Sequence, residues 1–96
     1  MEIYELLKSM REEIIDTAAL RGAKNVRVFG SVVRGEAQFN SDIDFLVDLD
    51  PDRSLLDLGG LLMDFQRLLG RDVDVVTEKG LHWYIRDQVL AEALNI

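Results

Sequence analysis

The sequence has 96 residues, 48% hydrophobic and 30% charged, which is typical of globular proteins and predicts one domain spanning residues 1–96. It contains no cysteine, which excludes disulfides, thiolate metal ligands and a cysteine nucleophile, and fits a reducing cytoplasm. The net charge of -7 argues against a general nucleic-acid-binding protein, and no apolar run approaches the roughly 18 residues of a membrane span, so we expect a soluble protein.

The first predicted element is an amphipathic helix from Ile3 to about Leu20. Its apolar residues recur every three or four positions, namely Ile3, Leu7, Met10, Ile14 and Ala18. Gly22 is a plausible end for this helix. The alternating segment from Asn25 to Phe29 then predicts a strand, which Gly30 and Ser31 interrupt.

The second predicted strand is the segment DIDFLVDL, residues 42–49. Alternation places its apolar residues on one face, namely Ile43, Phe45, Val47 and Leu49. The opposite face carries carboxylates, namely Asp42, Asp44 and Asp48. A turn at residues 50–52 ends this strand.

A second helix is predicted from Leu55 to Leu69, with Gly70 as its C-terminal cap. Its apolar stripe comprises Leu55, Leu58, Leu62, Phe65 and Leu69. A third strand follows in RDVDVVT, residues 71–77, and a third helix runs from Leu81 to about residues 91–93. The last few residues form either a short edge strand or a frayed end.

The order helix, strand, strand, helix, strand, helix predicts an α/β (α+β) fold, in which helices cover one face of a small mixed sheet. The carboxylates then lie on the other face. A sheet covered on one side leaves its second face available for a site in contact with water.

Three aspartates are the candidate catalytic and metal-binding residues. Asp42 and Asp44 are two positions apart on one strand, so their side chains share a face, with Cα atoms roughly 6.5 to 7 Å apart. Such carboxylates repel each other unless a cation lies between them, and Mg²⁺ is a hard ion that prefers oxygen ligands. Asp74 could supply a third ligand from the neighbouring strand. Carboxylates around one or two metal ions are a recurring arrangement for phosphoryl transfer.

Gly30, Ser31 and Arg34 are the candidate nucleotide-binding residues. A glycine directly after a strand allows backbone N–H groups to approach a phosphate, and a serine hydroxyl adds a donor. Arg34 could neutralise a phosphate oxygen. Taken alone, a Gly-Ser pair is usually a turn and an Asp-x-Asp pair is usually a solvated strand face, so the combination carries the argument.

Within GSVVRGEAQFNSDIDFLVDL, the pair Gly30-Ser31, ten further residues and then Asp42-x-Asp44 resemble the signature of the DNA polymerase β-like nucleotidyltransferases. The Arg34-Gly35 pair and the VDVV segment around Asp74 resemble the minimal nucleotidyltransferase family within that superfamily. The resemblance covers essentially the whole chain. One departure is Val33, where the family often has alanine.

This resemblance implies a polymerase β-like fold, Mg²⁺ bound by Asp42, Asp44 and Asp74, and ATP or another nucleoside triphosphate as the donor of AMP. Larger relatives have additional domains that bind the acceptor, so we expect this short chain to obtain its acceptor from elsewhere. In the minimal family the acceptor is often a tyrosine of a HEPN-domain toxin, which the nucleotidyltransferase adenylylates as antitoxin. The resemblance thus implies a hetero-oligomer with a HEPN-domain partner.

Two other functions fit the same sequence. The protein could be a non-catalytic antitoxin that masks its partner, although the complete set of motif acids favours catalysis. It could also be the catalytic subunit of a small-molecule nucleotidyltransferase whose acceptor pocket is completed by a separate helical subunit.

Four further residues are weaker candidates for the site. His82 could be a general base, but a lone histidine near a helix start is more often solvated or a cap, and Asp44 is the better candidate base. Trp83 and Tyr84 could stack on a nucleotide or bind a partner, yet adjacent aromatic residues more often divide between core and surface. Asp72 shares a predicted face with Asp74, and the VDVV resemblance favours Asp74 as the ligand.

Overall fold

The computed structural model describes residues 2–38 and 40–96. The helices are α1 (Ile3–Ser9), α2 (Arg11–Leu20), α3 (Ser31–Arg34), α4 (Leu55–Leu69) and α5 (Trp83–Glu92), with a 3₁₀ turn at Glu78–Gly80. The strands are β1 (Ala23–Phe29), β2 (Ile43–Leu49), β3 (Val73–Val76) and β4 (Leu94–Asn95). The predicted mixed α/β fold is confirmed, and the short helix α3 is an addition to the predicted order.

The sheet is mixed, with strand order β3-β2-β1-β4. Strand β1 pairs antiparallel with both β2 and β4, whereas β2 and β3 are parallel. The predicted alternative of a C-terminal edge strand is therefore the one adopted. Strand β1 contains a register shift between Lys24 and Arg27, where Asn25 has a φ of 51°, a conformation that asparagine tolerates better than most residues.

The single N-terminal helix predicted from Ile3 to Leu20 is divided in two at Met10. Met10 has φ -103° and ψ 16°, and its N–H donates to the carbonyls of both Leu6 and Leu7. A tightened last turn of this kind ends α1 at Ser9, and α2 begins at Arg11. The predicted apolar stripe is nevertheless correct, because Leu7, Ile14 and Ala18 are fully buried.

The main core lies between one face of the sheet and helices α1 to α4. The sheet contributes alternate residues, and the largest fully buried side chains of this cluster are Phe45, Phe65, Leu7, Ile14, Ile43 and Leu61. The rings of Phe45 and Phe65 have centroids 4.6 Å apart, which joins β2 to α4 at its centre. Leu46, on the opposite face of β2, is also fully buried, so the face that carries the acids is partly covered.

Helix α4 begins and ends as predicted, for identifiable reasons. Ser54 and Asp57 form a reciprocal capping box at its start, and Gly70 adopts a left-handed conformation with φ 66° at its end. The predicted stripe is wrong at its first member, because Leu55 is 81% exposed, while Leu61 is buried in its place. Leu61 and Phe65 both lie on the face of α4 that packs against the sheet, since residues four apart share a helix face.

Within the part of the chain that the structure describes, no helix combines the length and the apolar character needed to cross a membrane.

Two adjacent glycines inside α4 provide a test of this packing. A Cβ at Gly59 would meet no atom within 4 Å, whereas a Cβ at Gly60 would lie 2.5 Å from the guanidinium carbon of Arg21. Arg21 Nε donates to Asp64 across this position at 2.9 Å. We expect Gly59→Ala to raise the free energy of unfolding by about 0.5 to 1 kcal/mol, because alanine favours helix.

Gly60→Ala should raise the free energy of unfolding by less, because it displaces Arg21 from Asp64. Urea denaturation of both variants measures the difference. An equal gain in the two variants would show that the Arg21–Asp64 ion pair contributes nothing measurable.

Candidate active site

The turn after β1 strongly favours glycine at position 30. Gly30 has φ 76° and ψ -145°, a region of backbone conformation that side-chain-bearing residues strongly disfavour. A Cβ at Gly30 would also lie 2.5 Å from Oδ2 of Asp44. The backbone of the turn therefore lies directly against this carboxylate, and α3 follows with Ser31 partly buried and Arg34 exposed.

The structure places Asp44 and Asp74 side by side. They are Cα partners in the parallel pairing of β2 with β3, so both side chains leave the same face of the sheet. Asp42 is one residue before β2 begins, rather than within it, and is exposed. Sheet register thus supplies the adjacency of Asp74, for which the sequence had offered only a resemblance.

Asp44 is the acid most affected by its surroundings. Its pKa is raised above the ordinary value, first by partial burial and then by the negative charges of Asp74 and Asp42. Glu92 raises this pKa further, whereas Arg34 lowers it. The ionised form of Asp44 is therefore disfavoured by every nearby carboxylate.

Within residues 2–38 and 40–96, no three carboxylate or imidazole side chains are close enough together to form a ready-made metal site. The available donors nevertheless fit a hard divalent cation. A cation among Asp42, Asp44 and Asp74 would offset the repulsion that raises the pKa of Asp44, and carboxylate oxygen is the donor that Mg²⁺ prefers.

Glu92 is a residue of this region that sequence reasoning missed. Its Oε1 accepts a hydrogen bond of 2.8 Å from the backbone N–H of Gly30. Both of its carboxylate oxygens also lie 3.2 Å from Nη1 of Arg34. No local pattern could have indicated this contact, because Glu92 is 62 residues from Gly30 and appears in the sequence as an ordinary helical glutamate.

The three residues at the start of α5, His82, Trp83 and Tyr84, are all exposed. His82 is the N-cap of α5, and its side chain accepts from the N–H of Tyr84, which agrees with the capping role weighed above. The expected division of Trp83 and Tyr84 between core and surface is wrong, because their exposed fractions are 79% and 67%. Their rings pack on His82 and on each other, and Val89 is the buried residue of α5.

A cleft of about 470 Å³ lies elsewhere, at the C-terminal end of β2. Its lining includes Asp48, Asp50, Arg53 and Lys79, and none of the predicted site residues. Asp44 lies near the other end of the same strand. The cleft therefore does not define the candidate site, which is the open carboxylate surface beside Gly30.

The nucleotidyltransferase domain family matches residues 4–96 of the chain. A Methanocaldococcus jannaschii protein, MJ0435, named as a candidate protein adenylyltransferase, is 36% identical over 90 residues, which cover 94% of this chain and 97% of that protein. The protein adenylyltransferase MntA of Thermococcus cleftensis is 37% identical over 95 residues, which cover 99% of this chain and 93% of that protein.

Solved structures share the fold of this chain. A candidate minimal nucleotidyltransferase superposes with a TM-score of 0.85 at 47% identity, covering 96% of this chain and 94% of the other. A toxin–antitoxin structure with AMP-PNP shares the fold, with a TM-score of 0.74 at 23% identity over 88% of this chain and 69% of the other. Sequence and fold agree over nearly the full length, and the chain belongs to the nucleotidyltransferase domain family as a minimal nucleotidyltransferase.

Proposed function

We propose that the chain is one domain that transfers AMP from ATP to a hydroxyl group, with Asp42, Asp44 and Asp74 as ligands of Mg²⁺. The observation that carries this proposal is the side-by-side placement of Asp44 and Asp74, with the carboxylate of Asp44 against the Gly30 turn. It brings carboxylates suited to a cation next to a backbone suited to phosphate.

In this proposal the triphosphate lies along the turn after β1. The N–H of Gly30 and the hydroxyl of Ser31 donate to phosphate oxygens, and Arg34 offsets their charge. Bound Mg²⁺ would supply charge neutralisation for the triphosphate and lower the pKa of the attacking hydroxyl. The glycine at position 30 keeps the phosphate and the carboxylate of Asp44 close together, since any side chain there would separate them.

The reaction forms a bond between the acceptor oxygen and the α-phosphorus of ATP. The bond from that phosphorus to the bridging oxygen breaks, and pyrophosphate leaves with the electron pair. We assign Asp44 to receive the proton of the acceptor hydroxyl, because its partly buried carboxylate lies directly beside the turn that we assign to the triphosphate.

The acceptor that we propose is a tyrosine of a HEPN-domain toxin, which makes this chain an antitoxin. Support comes from relatives named as protein adenylyltransferases over nearly the whole chain. The toxin–antitoxin structures with the same fold also support an acceptor on a partner protein.

The test uses the protein together with the product of the adjacent open reading frame. After incubation with ATP and Mg²⁺, intact-mass spectrometry of the partner should show a gain of one or more AMP units, and a chelator should prevent it. Stable association without any mass gain would contradict the proposal and identify a masking antitoxin. Transfer to a small hydroxyl compound alone would contradict the protein acceptor.

A further inference from the structure

Two of the three groups that we assign to phosphate, the Gly30 N–H and the Arg34 guanidinium, are already bonded to a carboxylate of the protein itself. Glu92 accepts from the N–H of Gly30 at 2.8 Å and is paired with Arg34 at 3.2 Å. Its side chain is only 18% exposed, so the carboxylate is largely enclosed by these partners. A carboxylate and a phosphate oxygen use the same donors in the same way, through charge-assisted hydrogen bonds.

The backbone that follows Glu92 is held by the sheet and by α2, which favours displacement of the carboxylate by rotation of its side chain. Helix α5 ends at Glu92, and the next residues form β4, which pairs with Arg27 and Val28 of β1. Ile96 is buried, and its carbonyl accepts from Nε of Arg11. Residues 94–96 are thereby held against the sheet and α2, while the glutamate side chain keeps its own rotatable bonds.

We propose that the carboxylate of Glu92 occupies the triphosphate turn in the nucleotide-free protein and must be displaced from Gly30 and Arg34 before a nucleotide phosphate can bind. This inference rests on the proposed nucleotide site. Glu92 is then an intramolecular competitor that sets the affinity for the nucleotide, because only the fraction of molecules with the turn vacant can bind it.

Electrostatic repulsion prevents Glu92 and a nucleotide phosphate from occupying the turn together. A phosphate entering beside Glu92 would meet a carboxylate that already adds to the negative charge around Asp44. Arg34 is also paired with Glu36, at 3.0 Å through Nε, so it retains a partner when Glu92 leaves. The exchange therefore frees the Gly30 N–H and one edge of Arg34 without leaving the guanidinium unpaired.

The test compares Glu92→Gln with Glu36→Gln in the full chain, with AMP-PNP and Mg²⁺ as the probe. Each substitution removes one negative charge beside Arg34, but only Glu92 contacts the Gly30 N–H. By isothermal titration calorimetry we expect Glu92→Gln to lower the apparent Kd about threefold to tenfold. Glu36→Gln should change it by less than about twofold, since Glu36 is 64% exposed.

An unchanged or higher Kd in Glu92→Gln, with wild-type binding intact, would overturn this inference. A higher Kd would in addition identify Glu92 as a positioning residue for Arg34. Failure of every variant, including the wild type, to bind AMP-PNP would instead overturn the proposed nucleotide site. If Glu92→Gln does not fold, the wild-type protein still provides a test of the exchange between Glu92 and phosphate. The amide resonance of Gly30 should shift on addition of AMP-PNP and Mg²⁺, and binding without such a shift would contradict the exchange.

Discussion

Asp44→Asn is expected to reduce AMP transfer at least about 100-fold while leaving the fold intact. The substitution removes the proposed metal ligand and proton acceptor, and it keeps the shape of the side chain that lies against Gly30. Because the ionised carboxylate is disfavoured in the folded, metal-free protein, the variant should be slightly more stable than the wild type in a chelator, by about 0.5 kcal/mol after solvent screening.

The pH dependence of stability is a second, independent test of the expected effect of Asp44 on stability. The pKa of Asp44 is raised from 3.8 on folding, so the folded state holds this proton more tightly than the unfolded state. The stability of the metal-free wild type should therefore fall as pH rises from about 4 through the raised folded pKa. Asp44→Asn should lack this component in urea denaturation measured at several pH values.

Asp48→Asn is the matched control, since Asp48 lies on the same strand and face. Its carboxylate pairs with Arg27 at 3.0 Å and lies outside the proposed site. We expect transfer to remain near the wild-type rate in this control. Near-normal transfer by Asp44→Asn, or a loss of transfer in both variants, would contradict the assignment of Asp44.

Gly30→Ala is expected to abolish nucleotide binding and to lower the free energy of unfolding by about 1 to 3 kcal/mol. The stability loss arises from the backbone conformation, φ 76° and ψ -145°. The binding loss arises because the new methyl group would lie 2.5 Å from Oδ2 of Asp44 and push the carboxylate from the turn. Urea denaturation and AMP-PNP titration measure the two effects separately.

Gly35→Ala separates backbone strain from the contact with Asp44. Gly35 also has a positive φ, 72°, but a Cβ there would meet no atom within 4 Å. It should therefore lose about 1 kcal/mol of stability, with little change in the affinity for AMP-PNP. Equal losses of affinity in the two variants would show that strain alone, and not the approach to Asp44, accounts for the effect.

Elements with a strong periodic pattern were predictable from the sequence, because burial imposes the period directly. The alternation in residues 42–49 identified β2 and its acid-bearing face. Helix α4 begins and ends where the sequence predicted, with Ser54 and Gly70 as its capping residues. Periodicity failed where another force decided the backbone. Met10 interrupts an otherwise continuous stripe, and Leu55 sits in the first turn of α4, beyond the reach of the core.

The sequence by itself determined that Asp42 and Asp44 accompany a Gly30-Ser31 turn, since strand alternation and glycine chemistry are local properties. Only the tertiary structure decided which distant residues lie beside Asp44 and Gly30. Parallel pairing of β2 with β3 sets Asp74 beside Asp44, and the closing of β4 on β1 carries Glu92 to the N–H of Gly30. Both contacts join residues far apart in the chain, and sheet register, which fixes them, depends on the packing of the whole domain.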